Sequence, residues 1–356
     1  MNHEIAAERL HNQFIARRLR ADPARLVARL GAVQAQEYPF AKWGLALRLA
    51  APHTDASIDA ACDAGHILRT HVLRPTWHFI ARDDIRWMLA LTGPRVQRTV
   101  IRWTRREGID ATTLRKAASI FERALSGGVS LTRADLGARL ARSRIALSAA
   151  QLAFVTMYAE LERVVCSGPR SGKQFTYALL SDRAPAAPRL PRDEALSTLT
   201  RRYFSSHGPA TIRDFVWWSG LTVADTRRGL EMNRATRQTI DGVDYWRIGA
   251  RGGLPAGHHV ELLPIYDEYL VAYRDRAAVP HGPGTLAASL ESVTFRHAFI
   301  SRGQVAGTWN VNRAAGRCDM RVTPMRRLSP AEKAGVADAA ARFARFLGCP
   351  VSVTFG

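Results

Sequence analysis

The 356-residue sequence is short of cysteine, of lysine and of acidic side chains, and each shortage excludes something. Its four cysteines, Cys62, Cys166, Cys318 and Cys349, stand far apart and form no Cys-x-x-Cys pair. That argues against zinc ribbons and a disulfide framework and predicts buried, reduced thiols. Nowhere do about 18 apolar residues run together, so no membrane contact is expected. The opening MNHEIAAERLHNQF carries acids where a secretory leader would carry an apolar core, which makes a cytoplasmic protein the expectation. There is no Gly-rich phosphate loop of the P-loop kind, no Gly-x-Ser-x-Gly elbow and no metalloprotease motif. No metal site and no cofactor are expected.

What the sequence has in excess is arginine. Lys+Arg 51 against Asp+Glu 31 gives a net charge of +20, and Lys42, Lys116, Lys173 and Lys333 are the only lysines. GC-rich coding also produces an Ala- and Arg-rich composition, but coding bias alone does not remove Asp and Glu. A positive excess of this size draws polyanions, so nucleic acid is the expected partner.

Helical and strand periods recur in one order along the chain. A first unit, residues 1–94, holds helical runs 23-PARLVARLGA-32, 40-FAKWGLALRLA-50 and 55-DASIDAACDAG-65. After them 66-HILRTHVLRPTWHFI-80 alternates apolar and polar residues and predicts two strands. A second unit, residues 95–182, repeats this with helices over 112–128, 130–144 and 148–164, N-caps at Thr132 and Ser148, and two strands within 165–180. The Pro/Ala-rich stretch 183–193 predicts a linker. A third unit, residues 194–250, has helices over 195–208, 211–221 and 222–232, then 238-QTIDGVDYWRI-248 with Asp241-Gly242 as a hairpin turn. Three helices and a hairpin describe a winged helix, so the repetition predicts an α+β protein with three tandem winged-helix domains. Residues 251–356 read differently, as a β-rich region with strands within 258–273, 293–311 and 317–328. A final helix over 330–348 is opened by Pro330 and ended by Gly348.

Just after the first amphipathic run comes Gln34-Ala35-Gln36. An isolated pair of this kind is ordinarily a solvated surface feature. If the triplet is extended, a spacing of two places both amides on one side of the chain, away from a recognition helix. Glutamine offers one carbonyl acceptor and two N–H donors and does not titrate, so it orients a water but is no strong base. That suits a reaction whose leaving group is already activated. Cleavage of the glycosidic bond of a 7-alkylated guanine is such a reaction, because the alkylated base is cationic and departs without protonation.

Five runs in order, 34-QAQEYPFAKWGLALRL-49, 69-RTHVLRPTWHFI-80, 207-HGPATIRDFVWWSGL-221, 262-LLPIYDEYLVAYRDR-276 and 303-GQVAGTWNVNR-313, resemble the bacterial winged-helix DNA glycosylases of the YcaQ/AlkZ type. The resemblance covers nearly the whole chain. It implies a C-shaped stack of winged helices around a basic channel, acting as a monomer on double-stranded DNA that carries alkylated guanine or interstrand crosslinks. It also implies that Gln34 and Gln36 correspond to the family's catalytic Gln-apolar-Gln motif and position the water. Some relatives carry Asp at the second place, and Gln36 favours the crosslink-unhooking, toxin-resistance branch.

Around this motif, Arg69, Arg74 and Lys42 are candidates for DNA phosphates, and His71, Trp77 and His78 for the lesion pocket. Each also has a bland reading, as wing core for Trp77 and as structural histidines for the other two. Asp267 and Glu268 suit either a general acid or ion pairs with Arg274 and Arg276. A non-enzymatic DNA-binding regulator remains the alternative. Amides placed off the recognition helix favour the enzyme.

Overall fold

The computed structural model describes residues 2–184, 186, 188–253, 259–276, 295–314 and 316–356. Residue 258 of the first expected C-terminal strand, residues 293 and 294 of the second, and residues 185 and 187 of the expected linker lie outside the described residues. The protein is of mixed α+β class. It opens with α1 (Asn2–Asn12) and continues with α2 (Pro23–Leu30), β1 (Val33–Gln34), α3 (Tyr38–Ala46), α4 (Asp55–Asp63), β2 (Ile67–His71) and β3 (Trp77–Ala81). Asp22 caps α2 by accepting from the Arg25 N–H, Pro23 starts it, and Gly31 at φ 90° stops it. The chain can therefore turn straight into β1. The three strands form an antiparallel sheet in the order β1-β3-β2, with Gln34 opposite His78.

The same order of elements returns. After α5 (Ile85–Arg106) come α6 (Ala111–Leu125), β4 (Leu131–Thr132), α7 (Arg133–Arg142), α8 (Ala149–Leu161), β5 (Val165–Ser167) and β6 (Thr176–Leu179), with sheet order β4-β6-β5. Thr132 and Ser148 form capping boxes with Asp135 and Gln151. A short α9 (Leu180–Arg183) leads to α10 (Arg192–Ser206), α11 (Ile212–Ser219), α12 (Val223–Met232) and the hairpin β7 (Thr236–Ile240) and β8 (Val243–Arg247). Asp241 and Gly242 turn that hairpin with φ of 50° and 76°, the positive pair that a two-residue turn needs. Residue 94, expected as the edge of the first unit, lies inside α5. Pro94 removes one helical donor, but α5 buries Met88, Leu89, Val96 and Val100 against neighbours that include α8, and that burial carries the helix through.

The last part holds β9 (Val260–Leu263), α13 (Glu268–Val271), β10 (His297–Ser301), β11 (Gln304–Ala314), β12 (Arg317–Pro324), α14 (Pro330–Leu347) and β13 (Val351–Phe355). They form one sheet in the order β13-β12-β11-β10-β9, antiparallel except where β13 returns parallel to β12 after α14. The strand expected through residue 273 ends at Leu263. Asp267 then accepts from the Tyr269 N–H and starts the single turn of α13. One hydrophobic cluster joins the three helical units, and a second joins α3 and β3 to the C-terminal sheet through Trp43, Phe79, Phe299, Trp309 and Phe343. Gln34 lies where these two cores meet. Cys62 and Cys349 are partly exposed rather than buried, and the Cys318 and Cys349 sulfurs lie 3.1 Å apart. Among the described residues no helix is long and apolar enough to cross a membrane.

Candidate active site

Gln34-Ala35-Gln36 is held from several sides at once. β1 is an edge strand, and the Ala35 N–H donates to the Trp77 carbonyl at 2.7 Å, which sets the register against β3. The Arg69 Nε donates to the Ala35 carbonyl at 3.0 Å, and the Arg74 guanidinium donates to Gln34 Oε1 at 3.1 Å. On the far side, the Gln34 N–H donates to Glu268 Oε1 at 2.7 Å. Gln36 is exposed, with its Oε1 3.4 Å from the Trp77 N–H. The triplet is thus a fixed edge with one amide nearly buried and one facing solvent.

The charged groups around the triplet are desolvated. Burial lowers the Arg69 guanidinium to about 10, while its central carbon lies 4.2 Å from the Trp77 ring centre and 4.6 Å from that of Phe175. Burial also lowers Arg74, whose second contact is the Val271 carbonyl at 3.4 Å. Trp217, 43% exposed, donates its indole N–H to that carbonyl and puts an accessible aromatic face 5.7 Å from Arg74. Burial pulls His78 down to about 3, helped by the Arg74 charge, so the ring is neutral. Its Nδ1 lies 2.8 Å from the Thr76 carbonyl, which assigns the proton there and leaves Nε2 as a buried acceptor.

The expected site residues are variously engaged here. Arg69 and Arg74, read from the sequence as phosphate contacts, each turn one guanidinium donor to the triplet. His71 is buried, bonds Glu160 of α8 and packs tilted against Trp77 with 3.9 Å between ring centres, so it ties the first unit to the second. Lys42 does not fit the phosphate expectation: it is 2% exposed, and its Nζ lies 2.8 Å from both Asp55 and Asp59. Asp267 pairs with Arg48 at 2.6 Å rather than with Arg274 or Arg276, and Glu268 faces Gln34, Trp218 and His207. Nothing in local composition or spacing singles out the arginines of the third unit. Arg213, Arg227, Arg234, Arg237 and Arg274 line a cavity of about 940 Å³ between α11, α12 and the β7–β8 hairpin. The segment that carries Glu268 beside Gln34 and Val271 beside Arg74 runs directly into its wall at Arg274.

Three comparisons bear on this arrangement. A family model described as DNA glycosylase AlkZ-like matches residues 27–346, a span that takes in both glutamines, Arg74 and Glu268. Over 348 residues the chain is 26% identical to a Streptomyces sahachiroi protein described as an interstrand DNA cross-link repair glycosylase, with 86% of this chain and 87% of that one covered. The fold matches Streptomyces sahachiroi DNA glycosylase AlkZ with a TM-score of 0.80 over 99% of each chain, at 22% identity. The match runs through every unit described above. The chain belongs to the AlkZ-like family of DNA glycosylases.

Proposed function

We propose that this DNA glycosylase is monofunctional and hydrolyses the N-glycosidic bond of 7-alkylguanine in double-stranded DNA, interstrand crosslinks included. The observation that carries the reading is the fixed Gln-Ala-Gln edge, whose Gln34 amide is oriented by Arg74 while Gln36 stays open to solvent. In the reaction the water oxygen bonds to C1′, the C1′–N9 bond breaks, and its electron pair neutralises the cationic base. The water proton passes to solvent. No acid is needed for the leaving group, so two amides that orient water and shelter the sugar cation suffice. Gln34 and Gln36 are the catalytic residues of this proposal. Lys42, held between two carboxylates, supplies no amine for a covalent intermediate, in keeping with hydrolysis by water.

The three units of helices and hairpin act in this reading as tandem winged helices, with Arg213, Arg227, Arg234 and Arg237 of the third unit and Arg274 of the C-terminal region meeting DNA phosphates. Arg69, Arg74, His71, Trp77 and His78 shape and stiffen the pocket. The name of the Streptomyces sahachiroi relative supports crosslinks as substrates, in DNA repair or in self-resistance to an alkylating natural product. The enzyme works as a cytoplasmic monomer without metal or cofactor. Incubating pure protein with a panel of 7-alkylguanine duplexes and crosslinks tests this. Free base and alkali-labile abasic sites, undiminished by EDTA, are expected. No release across the panel, or release that requires a divalent ion, contradicts it.

A further inference from the structure

Glu268 is 1% exposed and lies 234 positions along the chain from Gln34. Because β1 has a neighbour on one side only, the Gln34 N–H points away from its sheet and needs a partner from elsewhere. A neutral carbonyl or water ordinarily meets that need. Here a carboxylate does, at 2.7 Å, and a bond from a peptide N–H to an ionised acceptor is about twice as strong as a neutral one. The other oxygen of Glu268 accepts from the Trp218 indole at 3.0 Å and lies 3.5 Å from His207 Nε2. Burial pushes the carboxyl up, but the His207 ring 3.5 Å away, then Arg74 and the Gln34 N–H, outweigh it and hold the group ionised, at about 2. Keeping a charge in the core is costly, and simple packing gives no reason for it.

The geometry points to Glu268 as a positioning residue for base release. Its carboxylate fixes the Gln34 backbone directly, while Arg74 holds the Gln34 side-chain oxygen. One buried anion thereby anchors the backbone of the residue that places the water. This inference rests on the reading of Gln34 as a water-placing group. The sequence placed Glu268 among general-acid candidates, but a group without solvent access whose oxygens are taken up by protein donors acts through Gln34 instead.

The test compares wild type with E268Q and E268D on duplex DNA carrying 7-methylguanine. E268Q keeps the size but cannot accept from Gln34 and Trp218 through two charged oxygens, and E268D keeps the charge but falls short of the Gln34 N–H. Single-turnover release at saturating enzyme falls by on the order of a hundredfold in both, as for a misplaced reacting group, while duplex Kd stays at its wild-type value. In wild type, the Gln34 amide proton is protected from exchange, and its resonance moves in the variants. If E268Q does not fold, E268D and the wild-type amide decide. A folded variant that releases base at the wild-type rate overturns the inference. So does a rate loss wholly explained by weaker duplex binding, or a wild-type Gln34 amide that exchanges like an exposed one. Wild type that releases no base at all contradicts the glycosylase reading itself.

Discussion

Gln34 is an uncharged residue whose neighbours, Arg74, Glu268 and His78, all bear charge or titrate. The motif was legible because two amides two apart form an unusual chemical pair. Its supports were not legible, because burial and pairing across 40 to 234 positions leave no mark on local composition. Arg69 and Arg74 therefore read as phosphate contacts, whereas in the fold burial lowers both and each donates to an oxygen of the triplet. His78 gives a prediction in pH. Its proton affinity drops from an ordinary 6.5 to about 3 on folding, so between these values the unfolded chain binds the proton and the folded one does not. Stability is complete above about 6.5 and falls as pH drops toward 3, by up to about 1.4 kcal/mol per pH unit from this ring. Urea titrations at several pH values should show this slope, and His78→Gln should remove that share of it. A variant with the wild-type slope would assign the acid sensitivity elsewhere.

Helices with capping residues and hairpins with turn residues declared themselves, as at Thr132, Ser148, Asp241-Gly242 and Pro330. Elements set by tertiary burial did not. Residue 94, the expected edge of the first unit, sits inside α5, and β13 pairs parallel through a crossover that local alternation cannot announce. α11 shows how one cap serves two elements. Asp214 accepts the Thr211 N–H in the capping box and, with its other oxygen, the N–H groups of Arg274 and Asp275 at 2.9 and 3.1 Å. The carboxylate, 1% exposed, anchors the segment that runs from Glu268 to the arginine-lined cavity. Asp214→Ala strands three backbone donors and should cost about 3 kcal/mol or more in denaturant unfolding. Thr211→Ala, which loses only the cap, should cost about 1 kcal/mol. Equal losses would mean that the anchor adds nothing to the cap.

At the scale of the molecule, the excess of arginine over acid was plain in composition, but not which arginines are free to meet DNA. Arg69 and Arg74 each give a donor to the triplet, and Arg213, Arg227, Arg234, Arg237 and Arg274 line a cavity. Binding to undamaged duplex should weaken steeply with salt. If about six phosphates are neutralised, affinity falls roughly a thousandfold between about 50 and 200 mM salt. A flat response in a binding titration would count against the basic surface. Hydrolysis by a fixed neutral amide is the central proposal. The direct measurement is single-turnover release of 7-methylguanine from duplex DNA by wild type, Gln34→Ala and Gln36→Ala, with duplex binding and melting followed in parallel. The account predicts release by wild type and a loss of about 10² or more in each variant, at unchanged binding and near-unchanged melting temperature. Release by both variants at the wild-type rate would contradict it.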